Sequence, residues 1–273
     1  MAKRQMGQSS SASQVHPLWS VHEGGQPLFA TALHAGHELR EDLERLIALD
    51  ENSRLREEDP YTDYLATIAP NRIVPHRSRF EVDLNRSREE AIYLDPEDAW
   101  GLKVWKQPPT EEEIRQSLAE YDAFYAEVRR FLDRLELEYG RFVIFDIHSY
   151  NHRRRGPKAP PDDPQANPEV NVGTGSLDRN RWGTLVDRFI ADLRAFDFHG
   201  RHLDVRENVK FKGRHFAQWV HEHYPETGCV LALEFKKFFM DEWTGRLDPD
   251  ELELIYEALK STLPGIAEEM ARL

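Results

Sequence analysis

The sequence predicts an α/β fold with a mixed, mostly parallel central sheet flanked by helices. Two observations carry that expectation. The runs RFVIFDIH, from Arg141 to His148, and CVLALEF, from Cys229 to Phe235, are unbroken apolar stretches that turn polar at their ends. Strands of a buried parallel sheet read this way because both faces are covered. Long stretches with apolar residues at helical spacing lie between such runs, and strands alternating with helices imply helices packed against the sheet.

The elements follow in order. The opening MAKRQMGQSSSASQ lacks the apolar core of a signal peptide and reads as a disordered tail over residues 1–16, ahead of one domain over 17–273. PLFATALHAG, from Pro27 to Gly36, predicts a short buried strand entering a glycine turn. A helix is expected through ELREDLERLIAL, where Leu39, Leu43, Leu46 and Ile47 share a face. In RSRFEVDLNR, Phe80, Val82 and Leu84 alternate with polar residues as in a half-buried strand. Thr110 to Tyr139 reads as a long helix opened by a capping box of Thr110 and Glu113. Residues 151–169, charged, proline-rich and aperiodic, predict a long surface loop inserted beside the strand end, a candidate lid. A helix from Asp178 to Phe196, a strand around His202 to Val205 and a helix around Arg214 to His223 precede the CVLALEF strand. Asp248 and Pro249 then cap a helix over Glu251–Lys260.

A formal charge of −13 argues against general nucleic-acid binding, which needs a basic face, yet leaves room for a small anionic ligand held by local arginines. The single cysteine, Cys229, excludes an internal disulfide framework and suits a reducing compartment. No apolar stretch approaches the ~20 residues needed to span a bilayer. A cytoplasmic protein without membrane contacts is expected.

Ligands of open α/β sheets bind beyond the carboxyl ends of the strands. His34, His37, Glu38, Asp146, His148, Ser149, His152 and Glu234 are delivered there by LHAGHE, DIHSYNH and LEF. A catalytic zinc takes three nitrogen or oxygen ligands and keeps a fourth position for water. His34 and His37, three apart with Gly36 between them, together with the distant His148, fit that demand; Asp146 is a candidate to orient a ligand. Glu234 closes a strongly apolar strand, where desolvation would lift its pKa toward that of a general base. Arg86, Asn85 and Arg79 offer a guanidinium fork and an amide suited to a carboxylate. Ser149 adjoins His148 and so points to the opposite face, which disfavours a serine triad. Neither a GxSxG elbow nor a P-loop occurs.

In order along the chain, HAGHE, SRFEVDLNR, FVIFDIHSYNHRR, VNVGTG, NVKFKGRHF and LALEFKKFFMDE resemble the N-formylglutamate amidohydrolase family, related to the zinc carboxypeptidases and to the aspartoacylase and succinylglutamate desuccinylase group. The resemblance runs from about residue 30 to 242. It implies a zinc-carboxypeptidase-like (phosphorylase/hydrolase-like) fold and a zinc ion held by His34 and His148. It also implies Glu234 as general base and acid, with Asn85, Arg86 and Arg79 as the substrate-binding set. The carboxypeptidase motif is HxxE, whereas position 37 is histidine with Glu38 after it. The second ligand therefore stands between His37 and Glu38, with Asp63 or Asp59 of EEDPYTDY as outsiders. Where the family commonly has a Gly-Gly turn this chain has Gly213-Arg214, which makes Arg214 a further candidate for substrate contact, beside His215. The implied activity is hydrolysis of the amide of a small N-acyl, N-formyl-like, acidic amino acid. A zinc carboxypeptidase or peptidoglycan-type amidase, and a non-catalytic binding protein on the same scaffold, are the alternatives. The sequence assigns no oligomeric state.

Overall fold

A seven-stranded mixed sheet runs through the protein in the order β1-β3-β2-β4-β7-β5-β6 in the computed structural model, which describes residues 18–273. The elements are β1 (Trp19–His22), β2 (Leu28–Thr31), α1 (Glu41–Glu44), α2 (Glu51–Glu57), α3 (Thr62–Ala66), β3 (Asn71–Pro75), α4 (Glu111–Tyr139) and β4 (Phe142–Tyr150). There follow β5 (Val170–Gly173), α5 (Arg179–Ala195), β6 (Val205–Glu207), α6 (His215–His223), β7 (Gly228–Lys236), α7 (Pro249–Ser261) and α8 (Leu263–Met270). The tail expected over residues 1–16 lies outside the described residues.

Strands β3, β2, β4 and β7 are parallel neighbours, β1 is antiparallel to β3, and β5 is antiparallel to β7. From β2 the chain moves to β3 on one side and returns to β4 on the other. The order therefore reverses between β2 and β4, and such a switch point opens a crevice at the carboxyl ends. Alternation along β4 and β7 sorts their side chains between two cores. Val143, Phe145, Ile147, Cys229, Leu231 and Leu233 pack with α5, α7 and α8. Phe142, Ile144 and Val230 pack with α4 and α6. The same period carries Asp146, His148 and Glu234 onto the α4/α6 face, where the apolar filling stops. The connector 151–169 leaves β4 and enters β5 at the same edge of the sheet, so it arches over the end of β7.

The capping box at Thr110 and Glu113 forms, with Thr110 accepting from the Glu113 amide and Glu113 from that of Thr110. Asp248 likewise caps α7. Two expectations are corrected. ELREDLERLIAL does not make one helix, because after α1 the backbone turns to pair with another segment, Ala48 donating to Val104 O and Lys106 to Leu46 O. Its leucines fill a small separate core with Phe80, Tyr93 and Trp105. RSRFEVDLNR is a series of turns and no strand: Glu81 donates to Ser78 O, Asp83 to Ala91 O and Arg86 to Asp83 O. Every residue from 78 to 85 is buried, so the alternation of apolar and polar types did not mark one wet face. Strands β1, β3 and β5 and helices α2, α3 and α8 carried no periodic signal long enough to stand out.

Candidate metal centre and substrate cleft

Three side chains converge at the switch point. His34 follows β2, His148 lies near the end of β4 and Asp59 follows α2; each is buried, and their donor atoms lie within 4.8 Å of one another. Asp59 Oδ2 is 3.4 Å from His34 Nδ1 and 3.1 Å from His148 Nδ1. Behind each ring stands a carboxylate, Asp83 Oδ1 at 2.7 Å from His34 Nε2 and Asp146 Oδ1 at 2.9 Å from His148 Nε2. Ser149 Oγ donates to the other oxygen of Asp59 at 3.2 Å, and the Asp59 amide donates to His34 O.

The donor set fits a zinc ion. Ligands at about 2.0–2.1 Å in a tetrahedron stand roughly 3.3 Å apart, close to the separations around Asp59 Oδ2. Histidines backed by carboxylates through the second ring nitrogen are the usual support of such a site. Burial would pull His148 down, but Asp146 and Asp59 outweigh it and hold the imidazole well above its ordinary value. Burial would raise Asp59 and Asp83. Hydrogen bonds from the two histidines keep Asp59 low, and the Arg79 guanidinium with His34 keeps Asp83 low. A metal ion would displace the proton held among these groups.

His37 and Glu38 are not brought to this group. The HAGHE turn lays its backbone against the end of β3, where Glu38 N donates to His76 O at 3.0 Å. A Cβ at Gly36 would collide with the backbone of His76 and Arg77, so only glycine permits that approach. The turn points His37 away, onto Glu58 and Arg54, while Glu38 is exposed near Arg77. Asp59, which the sequence offered only as an outsider, stands where the second donor was expected; Asp63 lies in α3, outside the trio.

Glu234 stands beside His148 in the strand register and lines the same cleft. Its side chain reaches the cleft surface, yet the carboxyl is enclosed by protein. Desolvation, reinforced by Asp59 and Asp146 against His148 and Arg214, pushes it up to about 8. The cleft is also lined by Arg79, Asn85, Trp100, Arg154, Arg214 and Lys237. Asn85 accepts from the Phe216 amide at the start of α6 at 3.0 Å and brings its own amide within 3.2 Å of His148 Nε2. Arg79 is buried against Asp83 Oδ2 (2.8 Å), Tyr93 OH (3.1 Å) and Glu57 O (3.3 Å). Arg86 is not in the cleft lining: its guanidinium lies over the Tyr93 ring at 4.4 Å and donates to Asp98 O. Arg214 is exposed at the start of α6, and among the described residues its guanidinium has no hydrogen-bond or ion-pair partner. His152 faces Glu242 at 3.3 Å, and His215 packs against the Tyr125 ring. Sequence reasoning passed over Lys237, which is buried and ties down the segment ahead of Asp59 by donating to Arg56 O and Glu58 O, each at 2.6 Å. A lysine directly after an apolar strand was the available signal.

The profile of the N-formylglutamate amidohydrolase family matches residues 26–239. The chain belongs to that family. Among solved structures, an N-formylglutamate amidohydrolase from Ralstonia eutropha shares the fold, with a TM-score of 0.72, 17% identity, and 93% of this chain and 98% of that one covered. A gene product of Agrobacterium tumefaciens matches with a TM-score of 0.65 and 16% identity, over 92% of this chain and 97% of that one. A metallo-carboxypeptidase from Burkholderia cenocepacia is more distant, with a TM-score of 0.39 and 14% identity over 94% of this chain and 66% of that one. Comparison with curated proteins gives no match. Within the amidohydrolase family match fall His34, Asp59, His148, Glu234 and every cation of the cleft. No helix among the described residues is long and apolar enough to cross a membrane.

Proposed function

We propose that this protein is a zinc-dependent amidohydrolase that cleaves the amide of a small N-acyl, N-formyl-like, acidic amino acid. The observation that carries this reading is the placement of Glu234 next to His148, at the mouth of a buried His34–Asp59–His148 trio whose two rings are each backed by a carboxylate. His34, Asp59 and His148 are the residues that would hold the ion. When bound, zinc supplies Lewis-acid polarisation of the scissile carbonyl and brings the pKa of water toward ~7.

The remaining work falls to the chain's own groups. Glu234 takes a proton from the attacking water and delivers it to the leaving amine; its desolvated carboxyl gives it the basicity for both steps. Asp83 and Asp146 hold the two imidazoles with Nδ1 turned inward. The free guanidinium of Arg214 receives the substrate carboxylate, and Arg79, fixed by three partners, contributes positive potential to the cleft wall. Asn85 joins the His148 side to α6, which carries Arg214. A cleft overarched by the 151–169 connector suits a small substrate better than the extended groove a peptide chain requires.

The test compares wild type with Glu234→Gln on N-formylglutamate, with zinc measured in both. Retained zinc with at least a hundredfold loss of kcat is expected, in the range of lost general acid–base catalysis. A zinc-loaded Glu234→Gln protein with wild-type turnover would refute the assigned base. A wild type that binds no zinc would remove the metal from the reading altogether.

A further inference from the structure

Four cations line the cleft, and they differ in what already occupies them. Arg79 is spent on Asp83, Tyr93 and a backbone carbonyl, and Lys237 on two carbonyls. Arg214 and Arg154 remain. Arg154 comes from the 151–169 connector, and its Nη1 and Nη2 meet the two oxygens of Glu57 at 3.4 and 3.0 Å. Glu57 is buried, and one of its oxygens also accepts from Arg56 Nε at 3.3 Å, so its charge is already shared by two guanidinium groups. This end-on pairing fixes the plane of the Arg154 fork. It leaves the Nε hydrogen and one hydrogen on each terminal nitrogen without a partner among the described residues.

Trp100 braces the same group. Its ring lies 5.6 Å from the Arg154 guanidinium and 4.9 Å from that of Arg79, bridging the two across the cleft wall. It is 42% exposed and sits at φ +55°, a left-handed conformation uncommon for a residue with a bulky side chain. A large exposed indole in a strained backbone at a cleft mouth points to use in binding. Together these features present a pre-oriented fork with open donors, matched to a second planar carboxylate.

We propose that Arg154 is a specificity-determining residue that receives the second carboxylate of a dicarboxylic N-acyl amino acid, the one distal to the scissile amide, while Arg214 takes the other. This rests on the amidohydrolase reading above. Because Arg154 is delivered by the connector and Arg214 by α6, the two carboxylates are read by separate parts of the chain.

The experiment measures kcat/KM for N-formylglutamate and for N-formylglutamine, its isostere with an uncharged side chain, in wild type, Arg154→Met and Arg154→Lys, with zinc content determined for each. Wild type is expected to prefer the diacid. Arg154→Met should lower kcat/KM for N-formylglutamate by about 10- to 100-fold, mainly through KM, the span set by one charge-assisted contact. The kcat/KM for N-formylglutamine should fall by a smaller factor than that for N-formylglutamate, zinc content should match wild type, and Arg154→Lys should recover only part of the loss. An unchanged preference in Arg154→Met, or a wild type indifferent between the two compounds, overturns the assignment of Arg154 while leaving the amidohydrolase intact. A zinc-loaded wild type that hydrolyses neither compound refutes the amidohydrolase reading, and the role of Arg154 falls with it.

Discussion

At the level of single side chains, Asp83 connects two tasks through its two oxygens. Oδ1 faces His34 Nε2 at 2.7 Å, while Oδ2 receives Arg79 at 2.8 Å and the Tyr93 hydroxyl. Asp83→Asn keeps the shape but removes the charge that orients His34. Zinc affinity is expected to fall about 10- to 100-fold, read by competition with a chelating dye. His37→Ala should leave zinc content at the wild-type level and Asp59→Ala should abolish it; the reverse pattern would return His37 to the ligand set. That His34, His148 and Glu234 line one cleft was legible because each closes an apolar run of the sequence, where a polar residue has no packing reason to stand. Asp59 was hard to single out because it closes the acidic run Glu57, Glu58, Asp59, which reads as a solvated surface. All three are buried, held by Arg154, by His37 and Ser78, and by His34 and His148. Arg86 lies outside the cleft lining because the turn geometry of DLNR, which the alternating pattern concealed, sends it toward Tyr93.

At the scale of elements, the long helix α4 meets the RSRFEVDLNR turns at two carboxylates, buried Glu81 and half-buried Glu120, with Arg40 and Arg77 pairing with both. Burial, with the charge of Glu120, pushes Glu81 up to about 7, against the opposing pull of Arg40 and Arg77. The native state therefore holds an extra proton between the ordinary value of 4.5 and about 7. Stability from Glu81 is full below about 4.5 and is lost as pH rises through about 7. Urea unfolding from about pH 5 to 8 should show this decline in wild type and a flatter profile in Glu81→Gln. Equal slopes would mean that the pair does not titrate there. The HAGHE turn allows a second test. Gly36→Ala forces a methyl into the backbone of His76 and Arg77, just past β3, and should cost about 1–3 kcal/mol in chemical denaturation, with weakened zinc binding because His34 lies two residues away. The helices with long apolar stripes and the two central strands were readable in advance. The four- and five-residue strands β1, β3 and β5 were not, since so short a segment is defined by its neighbours in the sheet.

For the whole molecule, the three candidate ligands come from three distant parts of the chain, so an ion joining them would bind only the folded state. Saturation at about a thousandfold over Kd adds roughly 4 kcal/mol, which for a chain of this size raises the melting temperature by roughly 8–16 °C. Scanning calorimetry with zinc and with a chelator should show that difference in wild type and none in His148→Ala. An equal rise in the variant would locate the ion elsewhere. The sheet topology carries a different kind of consequence. Because β5 runs against β7, the connector from β4 begins and ends at the reactive edge, and lengthening or shortening it leaves every strand pairing in place. His148 and Glu234 sit on the two central strands, whereas Arg154 sits on that arch. Relatives can thus diverge in diet while inheriting one reaction, and a laboratory graft of this arch between two of them should carry substrate preference with it.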